Sequence, residues 1–307
     1  MSNLKIKPQL ISKKCLTLHS NWLLPLVENF FELNFLSDNR YSKVDCYYTN
    51  RCDDEVAIEW SNQGRKVVLD CLWEPAVLVE PQFDCYILQN QNWLWYQESL
   101  WYRYLEYHNY VPNRLWNFHA LMPIRKQRNF RDFVVKFLGN NLDRFLWSYQ
   151  DQGRHLPNSG DSADWNTQRL FRPEWYDSCS MSLVLESSVE NNGFNRPLIS
   201  EKTFKPIAFW HPFVVCGDRH SLKYLRQLGF ETFDNLFNET YDSIDAWPQR
   251  LRTAAEQCLQ FRPQHNSYDT LTMQKLAHNH AHFFDQTLIE QKIKQEILEP
   301  LLHYAET

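Results

Sequence analysis

Glu201 and Lys202 stand together inside the segment RPLISEKTFKPIAFWHPFVVCGD, residues 196–218, between two strand-like hydrophobic runs. A helix can begin there at Ser200 or at Thr203, because both side chains can cap it. Pro206 favours the later start, where it falls in the first turn and its missing N–H is harmless. Either start leaves the Glu-Lys pair at the helix's amino end, where unpaired N–H groups and the positive end of the dipole suit a phosphate. Lys202 adds a mobile ammonium for a diphosphate. Glu201 would repel a phosphate and suits hydroxyl donors instead, as on a ribose or a sugar. One ligand carries both kinds of group, a sugar nucleotide. A plainer reading stays open: glutamate favours a helix's first turn without any ligand, and lysines are commonly solvated.

The neighbouring segments give the pair a setting. CSMSLVLES (179–187) reads as a strand that carries Glu186 to its carboxyl end, and open α/β sheets bind ligands beyond such ends. WNFHALMP (116–123) reads as another strand, followed by a basic turn holding Arg125 and Arg128. Guanidinium groups there could offset charge growing on a departing diphosphate, or the turn could be a solvated basic one. Next comes a helix in which Phe130, Phe133, Val134 and Phe137 keep helical spacing up to Gly139-Asn140.

Other chemistries lack their residues. HNHAH (278–282) puts only His278 and His282 on one helix face and has no accompanying H-E-x-x-H acid, so no metal site is expected. His280 is expected to pack with Phe283 and Phe284 while the other two face water. Patterns of the G-x-S-x-G, Walker, G-x-G-x-x-G and D-x-D kinds are absent, and seven glycines are too few for a generous phosphate loop. A helix amino terminus with Lys and Arg would replace that loop, with neither metal nor other cofactor.

The elements that must position these residues follow an alternating rhythm. KVVLDCLW (66–73) and FDCYILQ (83–89) read as strands, the first ending near Glu74-Pro75, and NWLLPLVENFFELNFL (21–36) as a helix kinked near Pro25. QDQGRHLPNSGDSADWNTQR (150–169) is polar and reads as a linker or long surface loop, the best boundary between an N-terminal domain (1–150) and a C-terminal one (165–307). Beyond it, PFVVCGD (212–218) reads as a strand. SLKYLRQLGF (221–230) reads as a short helix capped by Ser221 and ended by Gly229. From about Ser243 the chain reads as helical, with Ile244, Trp247, Leu251, Ala255 and Cys258 on one face, then Leu276, His280, Phe283 and Phe284. The fold class is α/β, closed by C-terminal helices.

Composition fits that picture. The chain has 307 residues, 43% hydrophobic and 22% charged, which are globular values with room for a sizeable core. A net charge of −5 argues against general nucleic-acid binding. The 12 tryptophans suit a core or a sugar- or base-binding cleft equally. Eight scattered cysteines without a C-x-x-C pair suggest free thiols in a reducing compartment. MSNLKIKPQLISKKC lacks an apolar signal core and no run reaches membrane-spanning length, so a cytoplasmic location is expected, with contact to a membrane surface left open.

The stretch SMSLVLESS…RPLISEKTFKPIAFWHPFVVCGD, Met181 to Asp218 at its core, resembles the donor-binding region of GT-B glycosyltransferases. It is most similar to the fucosyltransferase-like family (family 10 type), whose pattern is a strand ending F-E-N-S, then V-T-E-K, a helix, and a P-V-V-x-x-G strand. The resemblance implies two Rossmann-like domains facing a cleft, with a nucleotide-sugar donor held by the C-terminal half. It implies that Glu201 and Lys202 contact the nucleotide ribose and diphosphate, and that Glu186 lies near the donor. Ser187 stands where the family has Asn, and Leu198 where it often has Tyr. WLWYQES (93–99) resembles the family's E-S-P segment, with Leu100 in place of the proline, which makes Glu98 the candidate general base; an exposed glutamate on an aromatic loop is the other reading. The implied reaction transfers a sugar to an acceptor hydroxyl, with inversion and without metal. The acceptor, whether glycan, lipid-linked glycan or protein, stays open. A non-catalytic sugar- or partner-binding module and a nucleotidyl or phosphoryl transferase remain the rival readings.

Overall fold

A computed structural model describes residues 46–49, 55–70, 81–88, 90, 92–157, 172–190, 196–263 and 266–306. The helix expected over 21–36 and the strand end near Glu74-Pro75 lie outside the described residues. The chain forms two compact units: Met1–Trp101, Gly193–Asn195 and Asp285–Thr307 make the first, Tyr102–Asn192 and Arg196–Phe284 the second.

In the first unit, β1 (Cys46–Thr49), α1 (Glu55–Asn62), β2 (Lys66–Asp70) and β3 (Tyr86–Leu88) build a parallel sheet in the order β1-β2-β3. Val67 and Leu69 of β2 alternate onto one face and are buried with Ala57 of α1 and with Phe83. The helix α2 (Trp93–Tyr104) follows, and Trp93 to Ser99 are all buried.

The second unit runs β4 (Ala120–Ile124), α3 (Asn129–Leu138), β5 (Phe145–Tyr149), α4 (Pro173–Asp177), β6 (Ser182–Leu185), α5 (Glu201–Ala208), β7 (Phe213–Cys216), α6 (Ser221–Gln227), α7 (Trp247–Gln260) and α8 (Thr270–Phe283). Its four strands form one parallel sheet in the order β5-β4-β6-β7. Every residue of β6 and of β7 is buried, as expected for parallel strands covered on both faces. α3 packs with α7, where Phe133 meets Trp247 edge to face, and α5 packs with α8, where Phe204 stacks on Phe283.

This sheet corrects the expected domain boundary. β4 and β5 precede the polar stretch 150–169 and β6 and β7 follow it, yet all four pair in one sheet within one unit. Polarity there marks a connection inside a domain, and residues 158–169 of it lie outside the described residues. The start of α5 is a second correction. Ser200 caps it, its hydroxyl accepting from the Lys202 N–H, so Pro206 falls inside the helix rather than in its first turn. The backbone bond that a nitrogen at 206 would make is forfeited, and tertiary contacts to Ser200 and Thr203, described below, outweigh that loss. A third concerns α6. The Ser221 hydroxyl donates to the Asp218 carbonyl instead of capping, and the buried Asp242 carboxylate accepts from Leu222 N (2.9 Å) and Lys223 N (3.0 Å). Gly229 does follow the helix's end, at φ 95°, a conformation that favours glycine.

In the helical tail Leu251, Ala255 and Cys258 of α7 are buried together as expected, but the helix begins at Trp247, and Ile244, expected on its face, precedes it in an extended conformation. His278 and His282 share a face of α8, their rings stacked 5.7 Å apart. Their Nε2 atoms lie 2.8 Å from the carbonyls of Gly229 and Leu228, so His282 is partly buried against the end of the α6 segment rather than facing water. His280 is buried against Trp210 and Phe284. The chain ends in the first unit with α9 (Gln286–Ile293) and α10 (Glu299–Glu306), Tyr304 of α10 stacking on Tyr86 of β3.

Candidate functional site

The sheet order creates a switch point. From β4 the chain moves through α3 to β5 on one side, and from β6 through α5 to β7 on the other. β4 and β6 are neighbours, so the loops at their carboxyl ends diverge there, the place where open α/β sheets admit ligands. The loop after β4 carries Arg125 and Arg128, and the segment after β6 carries Glu186, Ser187 and, at the head of α5, Glu201 and Lys202. Five of the six residues singled out in the sequence thus belong to the two loops that diverge at the β4–β6 switch point. The sixth, Glu98, belongs to the first unit.

The turn after β4 is held by three hydrogen bonds, two with Asp151 and one with Arg131. Asp151, just past β5, donates its N–H to the Arg125 carbonyl (3.0 Å), and its carboxylate accepts from Gln127 N (2.8 Å). Arg131, in the first turn of α3, donates to the Lys126 carbonyl (2.9 Å). Arg125 is half-buried, and Arg128, which precedes α3 in an extended conformation, is exposed.

Glu186 is fully buried and committed to the chain itself. Its Oε1 accepts from Ser200 N (3.0 Å) and Thr203 Oγ1 (2.6 Å), and its Oε2 accepts from Ser187 N (3.2 Å) and from the Ser200 hydroxyl. With its acceptor sites filled, this carboxylate joins the end of β6 to the head of α5 and balances the helix's positive end. A direct contact with a donor, as the resemblance implies for Glu186, would have to displace these bonds. Gly217 lies against the same side chain: a Cβ there would come within 3.2 Å of the Glu186 Cβ and 3.1 Å of the Ser221 Oγ. Close approach, not a left-handed turn, is the reason for glycine at this position.

Lys202 and Glu201 engage each other. Lys202 Nζ lies 2.6 Å from Glu201 Oε1, 3.0 Å from Ser187 Oγ and 3.3 Å from Ser200 Oγ. Both side chains keep some solvent contact, 21% and 29% exposed. Burial pushes the Glu201 carboxyl up, but the Lys202 and Lys205 charges outweigh it and hold the group down at about 2. The loop beyond Ser187 is fixed by Asp218, wholly buried after β7, which accepts from Ser188 Oγ (2.8 Å) and Leu198 N (2.9 Å).

Glu98 lies within α2 and is 1% exposed, which corrects the alternative of an exposed glutamate on an aromatic loop. The helical phase of 93–104 turns it inward with Trp95 and Tyr102. Among the described residues, no group of His, Cys, Asp and Glu side chains could hold a metal ion. An open groove of about 890 Å³ lies elsewhere, between α6 and the 234–243 segment, lined by Lys223, Arg226, Asp234 and Glu239 among others; none of the six residues lines it.

Two residues that organise the site had escaped notice. Arg131 and Arg250 are 3% and 2% exposed, and each ties loops together through backbone carbonyls. Arg250 donates to the carbonyls of Gly217, Ile244, Asp245 and Val189. Their signal was available: Arg131 is in phase with the buried Val134 and Leu138, and Arg250 with Ala254 and Cys258. An arginine on the apolar stripe of a helix announces a buried guanidinium. No protein-family model, no curated protein and no solved structure matches this chain.

Proposed function

We propose that the chain is a glycosyltransferase of GT-B organisation, with two Rossmann-like domains, that moves a sugar from a nucleotide diphosphate-sugar to an acceptor hydroxyl. The observation that carries this reading is the switch point of the β5-β4-β6-β7 sheet, with Arg125 and Arg128 on one flanking loop and Lys202, at the amino end of α5, on the other. Three cations and a helix amino end suit a diphosphate more than any neutral ligand. They would stabilise the diphosphate as the glycosidic bond breaks, needing no metal for that purpose. Glu201 would leave Lys202 and accept from hydroxyls of the nucleotide. Glu186 would act by fixing the head of α5. A carboxylate must take the acceptor's proton; Glu98, the candidate from the sequence, is buried within α2 and can serve only if acceptor binding uncovers it, in which case Glu98→Gln should lower kcat while leaving donor affinity unchanged.

The test is a panel of nucleoside mono-, di- and triphosphates in isothermal titration calorimetry, followed by nucleotide sugars assayed for release of the diphosphate. Diphosphates should bind at least as well as triphosphates, and at least one nucleotide sugar should turn over. Binding without turnover would make the chain a non-catalytic module at the same switch point. A clear preference for triphosphates would favour nucleotidyl or phosphoryl transfer. No binding by any nucleotide would overturn the proposal.

A further inference from the structure

We infer that the groove between α6 and the 234–243 segment binds a neutral glycan, with Glu239 and Arg226 holding neighbouring hydroxyls of one sugar ring. The inference goes beyond the proposed function: the groove shares no residue with the six at and around the switch point, and it needs no glycosyl transfer to be occupied.

The groove is large and firmly built. Its volume of about 890 Å³ lies towards the upper end of small-molecule sites, roughly 300–1,000 Å³. Asp242 ties the 234–243 segment to α6: its carboxylate accepts from Leu222 N and Lys223 N, and its carbonyl accepts from His220 N (2.8 Å). A second tie is the ion pair of Arg226 Nη1 with Glu239 Oε2 (2.7 Å), an oxygen that also accepts from Thr232 Oγ1 (2.8 Å). Walls joined in this way keep their shape, so a ligand has little to order on binding.

A ligand is called for by Glu239. Its side chain is only 10% exposed, yet among the described residues Oε2 takes all of its hydrogen bonds and none donates to Oε1. Buried carboxylate oxygens are ordinarily hydrogen-bonded, so the second oxygen of a groove-lining glutamate is matched to a donor from outside the chain. Arg226 is 46% exposed and uses only Nη1, which leaves Nε and Nη2 to donate. Hydroxyls both donate and accept. Two of them on adjacent carbons can donate to Oε1 and accept from the guanidinium, which a phosphate cannot do.

Charge selects against an anion. Lys223 and Arg226 share the lining with three carboxylates, Asp234, Glu239 and Asp242, so a phosphate would gain no net attraction and would lie against Glu239. Neutral polar atoms suit further hydroxyls: Asn235 Oδ1, Asn238 Nδ2 and the hydroxyl of the exposed Thr240 make no hydrogen bond among the described residues. Leu236 and Phe237 give the lining an apolar part on which the C–H face of a sugar ring can rest.

The experiment compares wild type, Glu239→Gln and Thr240→Trp, with folding checked by circular dichroism. An indole at the exposed position 240 fills the groove without removing a side-chain bond. Neutral disaccharides and trisaccharides of glucose, galactose and mannose are screened by saturation-transfer NMR, and the best binder is titrated calorimetrically. At least one should bind wild type, and neither inorganic phosphate nor a free nucleoside should displace it. Glu239→Gln should weaken binding about tenfold or more, the scale of one hydrogen bond to a charged group. Thr240→Trp should abolish it, and neither change should alter affinity for a nucleoside diphosphate. If Glu239→Gln does not fold, Arg226→Gln takes its place with the same expectation. The inference is overturned if no neutral saccharide binds wild type, if Thr240→Trp or Glu239→Gln binds it equally well, or if phosphate or a nucleoside displaces it. Saccharide binding without any nucleotide binding would sink the proposed function and leave this inference standing; nucleotide binding without saccharide binding would do the reverse.

Discussion

Removing the Glu186 carboxylate tests whether it is a structural joint or a ligand group. Glu186→Ala strips four donors of their acceptor: Ser200 N, the Ser200 hydroxyl, Thr203 Oγ1 and Ser187 N. Ser187 is half-buried, so its N–H can reach water, and the Ser200 hydroxyl can rotate. Ser200 N and Thr203 Oγ1 remain, on residues 3% and 0% exposed. Each buried donor left unsatisfied costs roughly 1–3 kcal/mol, so the loss is about 4 kcal/mol once the weakened capping of α5 is included. That is a large fraction of the roughly 5–15 kcal/mol that holds a domain folded. Glu186→Gln keeps one acceptor oxygen and most of the shape, and should cost only about 1–2 kcal/mol. Urea unfolding gives the totals, and hydrogen exchange gives the location: amides of α5 should lose protection first. A Glu186→Ala protein that loses less than about 1 kcal/mol, keeps α5 protected and yet fails to bind nucleoside diphosphate would refute the reasoning and return Glu186 to the ligand.

Three further outcomes are expected. His211 is buried between Ser182 Oγ (2.8 Å) and the Cys179 carbonyl (2.7 Å), and burial lowers its pKa from 6.5 to about 3. The native state therefore holds the neutral ring. This contribution is complete above pH 6.5 and is lost as pH falls from there towards 3. Wild type should lose stability across that window more steeply than His211→Gln, by up to about 1.4 kcal/mol per pH unit; equal slopes would contradict the assignment. His280, lowered to about 4 by burial, acts in the same window in both proteins and cancels in the comparison. Glu201→Gln should free Lys202 and tighten pyrophosphate binding about threefold, the scale of a partly exposed ion pair, while narrowing the preference for nucleotide over pyrophosphate; weaker pyrophosphate binding would argue against the pairing. Burial pushes the Cys179 and Cys216 thiols up to about 12 and raises that of Cys258 as well. Iodoacetamide at pH 8 should leave all three unmodified in the native protein and label them after unfolding, as read by peptide mass mapping.

Local pattern determined much of this protein. Apolar runs and helical phasing marked out β4 and α3, β6, β7 and the helices from Trp247 onward, and each lies within a few residues of its expected place. The charged pair at a helix's amino end was equally legible, since capping residues and proline act over a single turn. Tertiary structure decided what depends on distant neighbours. β5 (FLWSY) was not recognised, and its pairing with β4 keeps a polar stretch inside one domain. Local rules for Pro206 favoured a start at Thr203, but the bonds from Ser200 and Thr203 to Glu186 set it at Ser200, across 14 and 17 positions of chain. Asp242 caps α6 from 20 residues away, where local sequence had nominated Ser221. Residue type named Glu186 and Glu98 as charges; only the packed fold decided that the first became a joint and the second an inward-facing side chain. Periodicity encodes the face that an element buries, whereas hydrogen-bond partners arise only when those faces meet.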